Sequence, residues 1–167
     1  IEKIQHVGGC CVNLGCIPTK SLCHNSYLYE LATKQLPAHG INVGEVSFDM
    51  KVFQKLKRDA MDAQREYLFK TVKSYNVAII NGTAKIKTPT EIEVANGDKI
   101  TVLKANYIIL ATGSDSMELP FLPFDEKVVL SSWGAVNLEE VPKSLIVVGA
   151  GVIGLETGTV FSRLGCD

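Results

Sequence analysis

The stretch from Ser144 to Gly165 constrains the fold more than any other part of the chain. An apolar run, "SLIVV", enters "GAGVIG", and "LETGTVFSRLG" follows with helical character. Gly149, Gly151 and Gly154 thus form G-x-G-x-x-G between a strand pattern and a helix pattern, the context in which that spacing carries information. The first glycine permits a tight turn, the second lets backbone approach a pyrophosphate, and the third lets helix and strand pack closely. Phosphates are then held at the helix N-terminus, where free N–H groups and the dipole favour negative charge. A glycine turn in some other α/β domain is the plainer alternative. The acidic residue that would bind the ribose, about 20 residues on, falls at or beyond Asp167, so NAD is not separable from NADP by that position.

The second informative stretch is "GGCCVNLGCIPTK", residues 8–20, which holds three of the chain's five cysteines. Zinc is disfavoured, because structural zinc takes four ligands in two short-spaced pairs and Cys11 and Cys16 have no second pair downstream. A purely structural disulfide is also disfavoured, because closing so short a loop removes little chain entropy. A redox use fits better. Pro18 marks the first turn of a helix reading "PTKSLCHNSYLYELAT", so Cys16 lies at or just before a helix N-terminus, where the dipole favours thiolate. Lys20, one turn on, adds positive charge, while Gly9 and Gly15 allow close backbone approach. A low-pKa cysteine also serves as a nucleophile, and the residues alone leave both uses open.

The rest of the chain is read by its period. A second helix is expected from near Asp49, a plausible N-cap, to Ser74, because Phe53, Leu56, Ala60, Ala63, Tyr67 and Val72 recur at helical steps. The period then shortens: "NVAIING", "AKIKT", "EIEVAN" and "KITVLKA" read as strands, and Asn96-Gly97 as a hairpin turn. "YIILATGS" (107–114) reads as an apolar strand ending in a glycine turn, residues 36–47 as a loop, and "MELPFLPFDEKVVLSS" as a connector. The net charge of −1 offers no bulk attraction to nucleic acid or an anionic membrane. No apolar run reaches the roughly 18 residues of a membrane helix. The chain opens without Met, and both ends are expected to be cut from a longer protein.

These segments, in this order, resemble the flavoprotein disulfide reductases, the class I pyridine nucleotide-disulfide oxidoreductases. The resemblance runs through "GGCCVNLGCIPTK", "INGTA", "IILATGS", "ELPFLPFDEKVVLSS" and "VVGAGVIGLETG". It is strongest to the dihydrolipoyl dehydrogenase subfamily, through Ile17-Pro18-Thr19-Lys20, the connector and glycine at position 154. It implies an α/β fold: a partial FAD-binding Rossmann-like domain (1–118) with an inserted antiparallel segment, a connector (119–142), and the first βα unit of an NAD-binding domain (143–167). It further implies that Cys11 exchanges with dihydrolipoamide and that Cys16 is the flavin-side thiol. Lys20 would lie near the flavin's reactive nitrogen and Glu2 on the adenosine ribose. Gly9 and Cys10 would approach the FAD phosphates, and Ala84, Thr112, Gly113 and Ser114 would line the FAD site. Gly149, Gly151, Gly154 and Glu156 would begin the NAD site.

The resemblance also implies a homodimeric parent enzyme that serves the lipoyl domains of 2-oxo acid dehydrogenase complexes in the mitochondrial matrix, or in the cytoplasm if bacterial. Glutathione or trypanothione reductase chemistry is the near alternative; a non-catalytic binding module is the distant one. Cys10 departs from the pattern, which usually has threonine there, and places a third thiol beside the pair. Cys23 and Cys166 read as small core residues. The family's first glycine motif and its His-Glu base fall outside these residues, and His6, His24 and His39 are poor substitutes. Weak or no FAD binding is therefore expected of these 167 residues alone.

Overall fold

A computed structural model describes residues 1–167. The chain divides into two compact units, Ile1–Gly9 with Ala63–Ser114, and Cys10–Asp62 with Asp115–Asp167. No helix is long and apolar enough to cross a membrane.

The first unit is built on an antiparallel meander of β1 (Thr83–Thr88), β2 (Glu91–Asn96) and β3 (Lys99–Lys104). The register pairs Ala84 with Val94 and Val94 with Thr101, so one face carries the apolar rows and Val94 is buried at 2% exposure. The other face carries the ion pairs Lys87–Glu93 and Lys104–Glu91. The expected hairpin turn forms, with Gly97 at φ 57° between the paired Asn96 and Lys99; glycine takes that left-handed value without strain. Gly82 (φ 148°) precedes β1, and a Cβ there would stand 2.6 Å from the Ala95 carbonyl oxygen. Glu2 donates its N–H to the Ile80 carbonyl (3.0 Å) and accepts from the Gly82 N–H (2.9 Å), a single parallel bridge.

Two expected strands of this unit do not form. "NVAIING" reaches only the bridge at Asn81, and residues 107–111 carry no ladder. Ile109 is 89% exposed. An apolar strand of the parallel type is stable only with hydrogen-bonded neighbours and covered faces, and these residues have neither within the chain.

The second unit is helical: α1 (Gly9–Asn13) from Cys10 onward, α2 (Cys16–Glu30), α3 (Leu36–Ala38), the first half of α4 (Met50–Ser74), α5 (Ser132–Val136) and α6 (Val152–Arg163). α4 starts where expected, with the Asp49 Oδ1 accepting from the Lys51 N–H at 2.8 Å. It ends at Ser74, with Asn76 at φ 55° receiving the chain. Between α2 and α3, residues Leu31–Gln35 form a π-helical turn, closed by the Leu36 N–H on the Leu31 carbonyl. Pro37 has no N–H to give to the Thr33 carbonyl, so the ladder widens there. Residues 36–38 are thus helical within the expected loop, because proline is tolerated in a first helical turn. α5, which falls inside the expected connector, is capped by the Ser131 hydroxyl accepting from the Gly134 N–H (3.2 Å).

The core of this unit joins Leu22 of α2, Met50 of α4, Ala135 and Val136 of α5, and Val160, Phe161 and Leu164 at α6. Burying the Phe161 ring, 1% exposed, contributes about 2–3 kcal/mol. Cys166 is buried in this core and Cys23 packs against it, as small apolar residues do. Lys57 of α4, 2% exposed, donates to the Val136 carbonyl (2.9 Å) and to Asn137 Oδ1 (2.5 Å). With Gln54, which also donates to the Val136 carbonyl, it satisfies the end of α5. The expected strand at 144–148 forms only one link: the Leu145 N–H donates to the Asp167 carbonyl and the Asp167 N–H to Lys143. Ile146 is 90% exposed, for the same want of neighbours.

Candidate active site

The cysteine stretch folds as two helix starts joined by a tight loop. α1 begins at Gly9, in a left-handed conformation (φ 57°), and carries Cys10 and Cys11. The Leu14 N–H closes onto the Cys10 carbonyl at 2.8 Å. Gly15 then caps α2, and a Cβ on it would stand 3.3 Å from that same carbonyl. Glycine at 15 is what lets the loop fold back. Cys16 is the first residue of α2. Pro18 is fully buried in the first turn, where its missing N–H costs no intrahelical bond.

This geometry brings the two exposed thiols together. Cys11 hydrogen-bonds to the Cys16 side chain, and that bond, with partial burial, pushes the Cys11 thiol up. The Cys16 amide and the Lys20 charge act in the opposite sense and are weaker. The two thiols are thus within hydrogen-bonding reach of each other. The Cys16 sulfur lies at the positive end of a 15-residue helix, which stabilises negative charge.

Lys20 forms an ion pair with Glu156 of α6. That contact raises the Lys20 pKa further, so the ammonium stays charged across the neutral range. Expected as a start of the NAD site, Glu156 is turned toward α2 and holds Lys20. At the far end of the same two helices, the Arg163 Nε donates to Glu30 Oε2 at 2.7 Å, and its guanidinium lies 5.5 Å from the Tyr27 ring centroid. Pairing 20 with 156 and 30 with 163 means that α2 and α6 run parallel. Their N-termini, one bearing Cys16 and the other the glycine turn, lie at the same end of the pair. The second clasp was not legible in the sequence, because Glu30 and Arg163 are 133 positions apart and neither lies in a recognisable motif.

The glycine turn has the shape that the spacing predicts. Gly149 is left-handed (φ 107°) and Gly151 caps α6. A Cβ at Gly154 would lie 2.2 Å from the Gly149 carbonyl oxygen and 3.0 Å from Val147 Cγ1, so close packing excludes a side chain. A Cβ at Gly151 would meet nothing within 4 Å. The backbone amides of the turn are therefore open to an approaching phosphate, and the residues fit a pyrophosphate. An open groove of about 580 Å³ adjoins the turn, lined by Gly149, Gly154, Gly158, Ser162, Arg163 and Glu30.

The residues expected to hold FAD fall in both units. Glu2, Gly9, Ala84, Thr112, Gly113 and Ser114 belong to the first, and Cys10 and Lys20 to the second. Glu2 Oε1 accepts from the Ile4 N–H at 3.1 Å. A Cβ at Gly9 would meet nothing within 4 Å, which leaves its backbone open to a phosphate. Ala84 lies on β1, and residues 112–114 have no regular structure. No group of three His, Cys, Asp or Glu converges as metal ligands.

The dithiol at the start of α2 is thus clasped, through Lys20 and Glu156, to the helix that follows the glycine turn. The chain belongs to the pyridine nucleotide-disulphide oxidoreductase family, whose model matches residues 1–167. That family is FAD-dependent. Among its relatives, a dihydrolipoyl dehydrogenase of Manduca sexta is 40% identical over 167 residues, all of this chain and 34% of the relative. The mitochondrial dihydrolipoyl dehydrogenase 1 of Arabidopsis thaliana is 42% identical over 168 residues, all of this chain and 33% of the relative. The crystal structure of LpdA from Mycobacterium tuberculosis matches with a TM-score of 0.83 at 24% identity, over 97% of this chain and 36% of that one. This likeness supports the fold. The chain spans about a third of the length of these relatives.

Proposed function

We propose that this chain is the redox-active segment of a dihydrolipoyl dehydrogenase. In that reading, two electrons pass from dihydrolipoamide through Cys11 and Cys16 toward FAD and NAD⁺. The observation that carries it is the contact between the Cys11 and Cys16 thiols at the start of α2, together with the Lys20–Glu156 clasp to α6. FAD and NAD⁺, when bound, supply the hydride chemistry. The chain's own residues do the rest. Cys11 exchanges with the substrate sulfur, and Cys16 is the flavin-side thiol. Lys20 holds positive charge near that sulfur, and Gly149, Gly151 and Gly154 seat the pyrophosphate of NAD.

Glu2, Gly9, Cys10, Lys20, Ala84, Thr112, Gly113 and Ser114 are proposed for FAD. The division into a flavin domain (1–118), a connector (119–142) and the start of a nicotinamide domain (143–167) is part of this reading. So are a homodimeric parent enzyme, a lipoyl-domain partner and a mitochondrial location, the last supported by the names of several relatives.

The test is made on the longer, FAD-loaded protein that contains this segment. NAD⁺ reduction by dihydrolipoamide is expected, with loss of at least about a thousandfold in Cys16→Ser, on the order of what removing a covalent redox group costs. Turnover with NADPH and an oxidised disulfide, and none with dihydrolipoamide, would assign the chain to the glutathione reductase type. Activity unchanged in Cys16→Ser would remove the redox reading altogether.

A further inference from the structure

The buried face of α4 carries Met50, Gln54, Lys57 and Met61, so this helix turns an amide and an amine toward an apolar core. Both reach one place. The Gln54 Nε2 donates to the Val136 carbonyl (3.1 Å) and to the Leu138 carbonyl (2.7 Å). The Lys57 Nζ donates to the Val136 carbonyl (2.9 Å) and to Asn137 Oδ1, and it lies 5.8 Å from the Trp133 ring centroid. These contacts hold the C-terminal end of α5. A helix of 5 residues does not persist in water unaided. Ala135 and Val136 of α5 in turn pack with Leu22 of α2 and with Val160 and Phe161 of α6. They thus lie behind the helices that bear Cys16 and the glycine turn.

The amine is the unusual member. It is 2% exposed, and no carboxylate is among its hydrogen-bond partners. An ammonium carries three N–H donors. A neutral amine carries two, the number of acceptors that this site supplies. We propose that α5 is a proton-coupled latch: seating it on α4 encloses the Lys57 amine between the Val136 carbonyl, Asn137 and Trp133, and lifting it off takes up a proton.

The groups around the amine favour the neutral form. α4 supplies Gln54, which is uncharged, and Arg58, which repels positive charge. α5 and the residue after it supply Trp133, Val136 and Asn137, none of which is ionisable. Burial first, and then Arg58, lower the Lys57 pKa from 10.5 to about 8. With α5 lifted, the side chain meets water and returns to its ordinary value. Below pH 8 both states hold the proton, and seating does not depend on pH. Between the two values only the lifted state holds it, so rising pH favours the seated state. The latch is loosest at and below neutral pH and tightens as pH rises through 8.

The test is hydrogen exchange of the chain read by peptide mass, each rate divided by the intrinsic rate at that pH. Peptide 131–138 reports α5, whose Ala135, Asn137 and Leu138 N–H groups are bonded within that segment. Peptide 155–165 reports α6. Protection of 131–138 is expected to rise about tenfold from pH 7 to pH 9 and to stay below that of 155–165. In Lys57→Met the rise should vanish. Should that variant not fold, Trp133, the only tryptophan of the chain, reads the same event in wild type. Its emission is expected to change with a midpoint near pH 8. One common rate for the two peptides would mean that α5 never lifts alone, and would overturn the latch. So would protection that does not rise with pH, a rise that persists in Lys57→Met, or a Trp133 transition only near pH 10.5.

Discussion

Gly151 and Gly154 stand three residues apart and answer to different demands. Gly154 is required by the fold, because its Cβ would collide with the Gly149 carbonyl and with Val147. Gly154→Ala is expected to lower stability by about 1–3 kcal/mol, overpacking outweighing the gain of alanine in a helix, as read by urea denaturation. Gly151→Ala, with nothing within reach of its Cβ, should leave the urea midpoint near wild type. Lys57 is a residue whose state depends on pH. Burial and the nearby Arg58 lower its pKa from 10.5 to about 8. Between those values the unfolded chain holds a proton that the folded chain has released, so the Lys57 term makes stability rise with pH. The stability of wild type relative to Lys57→Met should therefore increase from pH 7.5 to pH 10, measured by denaturation at each pH. Of the site's geometry, the placing of Cys16 at the start of α2 and the shape of the glycine turn were legible, because both follow from local spacing. The engagement of Glu156 with Lys20, 136 positions away, was not, because a helix-to-helix contact leaves no mark on local sequence.

At the scale of elements, the long periodic segments and the hairpin were readable. Asp49 capping α4, helix α2 starting at Cys16, and Gly97 turning the hairpin all follow from chemistry within a few residues. Asp49→Ala is expected to cost about 1 kcal/mol through loss of the bond to the Lys51 N–H, measured as a shift in the helical unfolding transition followed by circular dichroism. The clasp between α2 and α6 makes a second expectation. Glu30 and Arg163 are only 23% and 24% exposed, so a double-mutant cycle with Glu30→Gln and Arg163→Met should give a coupling of about 1–2 kcal/mol, above the usual surface pair. The elements that escaped were α1, α5 and the π turn, each of 5 residues. They are too short for a period to show, and their ends are set by single events: Gly9 turning left-handed, the Ser131 cap and the missing N–H of Pro37.

At the scale of the whole molecule, two apolar runs lie open. Ile109 is 89% exposed and Ile146 is 90% exposed, each in a run that reads as a strand and has no ladder. Open apolar edges invite pairing with other chains. The double variant Ile109→Lys, Ile146→Lys is expected to reduce light scattering at a given protein concentration without lowering the unfolding midpoint, since neither side chain packs against the fold. Sequence by itself determined two local shapes: a cysteine pair at a helix start and a glycine turn ahead of a helix, both written in short-range spacing and in the stereochemistry of glycine and proline. Tertiary structure alone decided how they are joined. Packing around Leu22, Val136 and Phe161 sets α2 beside α6, and two ion pairs fix them parallel. The thiol pair and the glycine turn therefore share one end of a helix pair. It also decided that two good strand sequences would stay unpaired, because a strand draws its stability from neighbours rather than from its own residues.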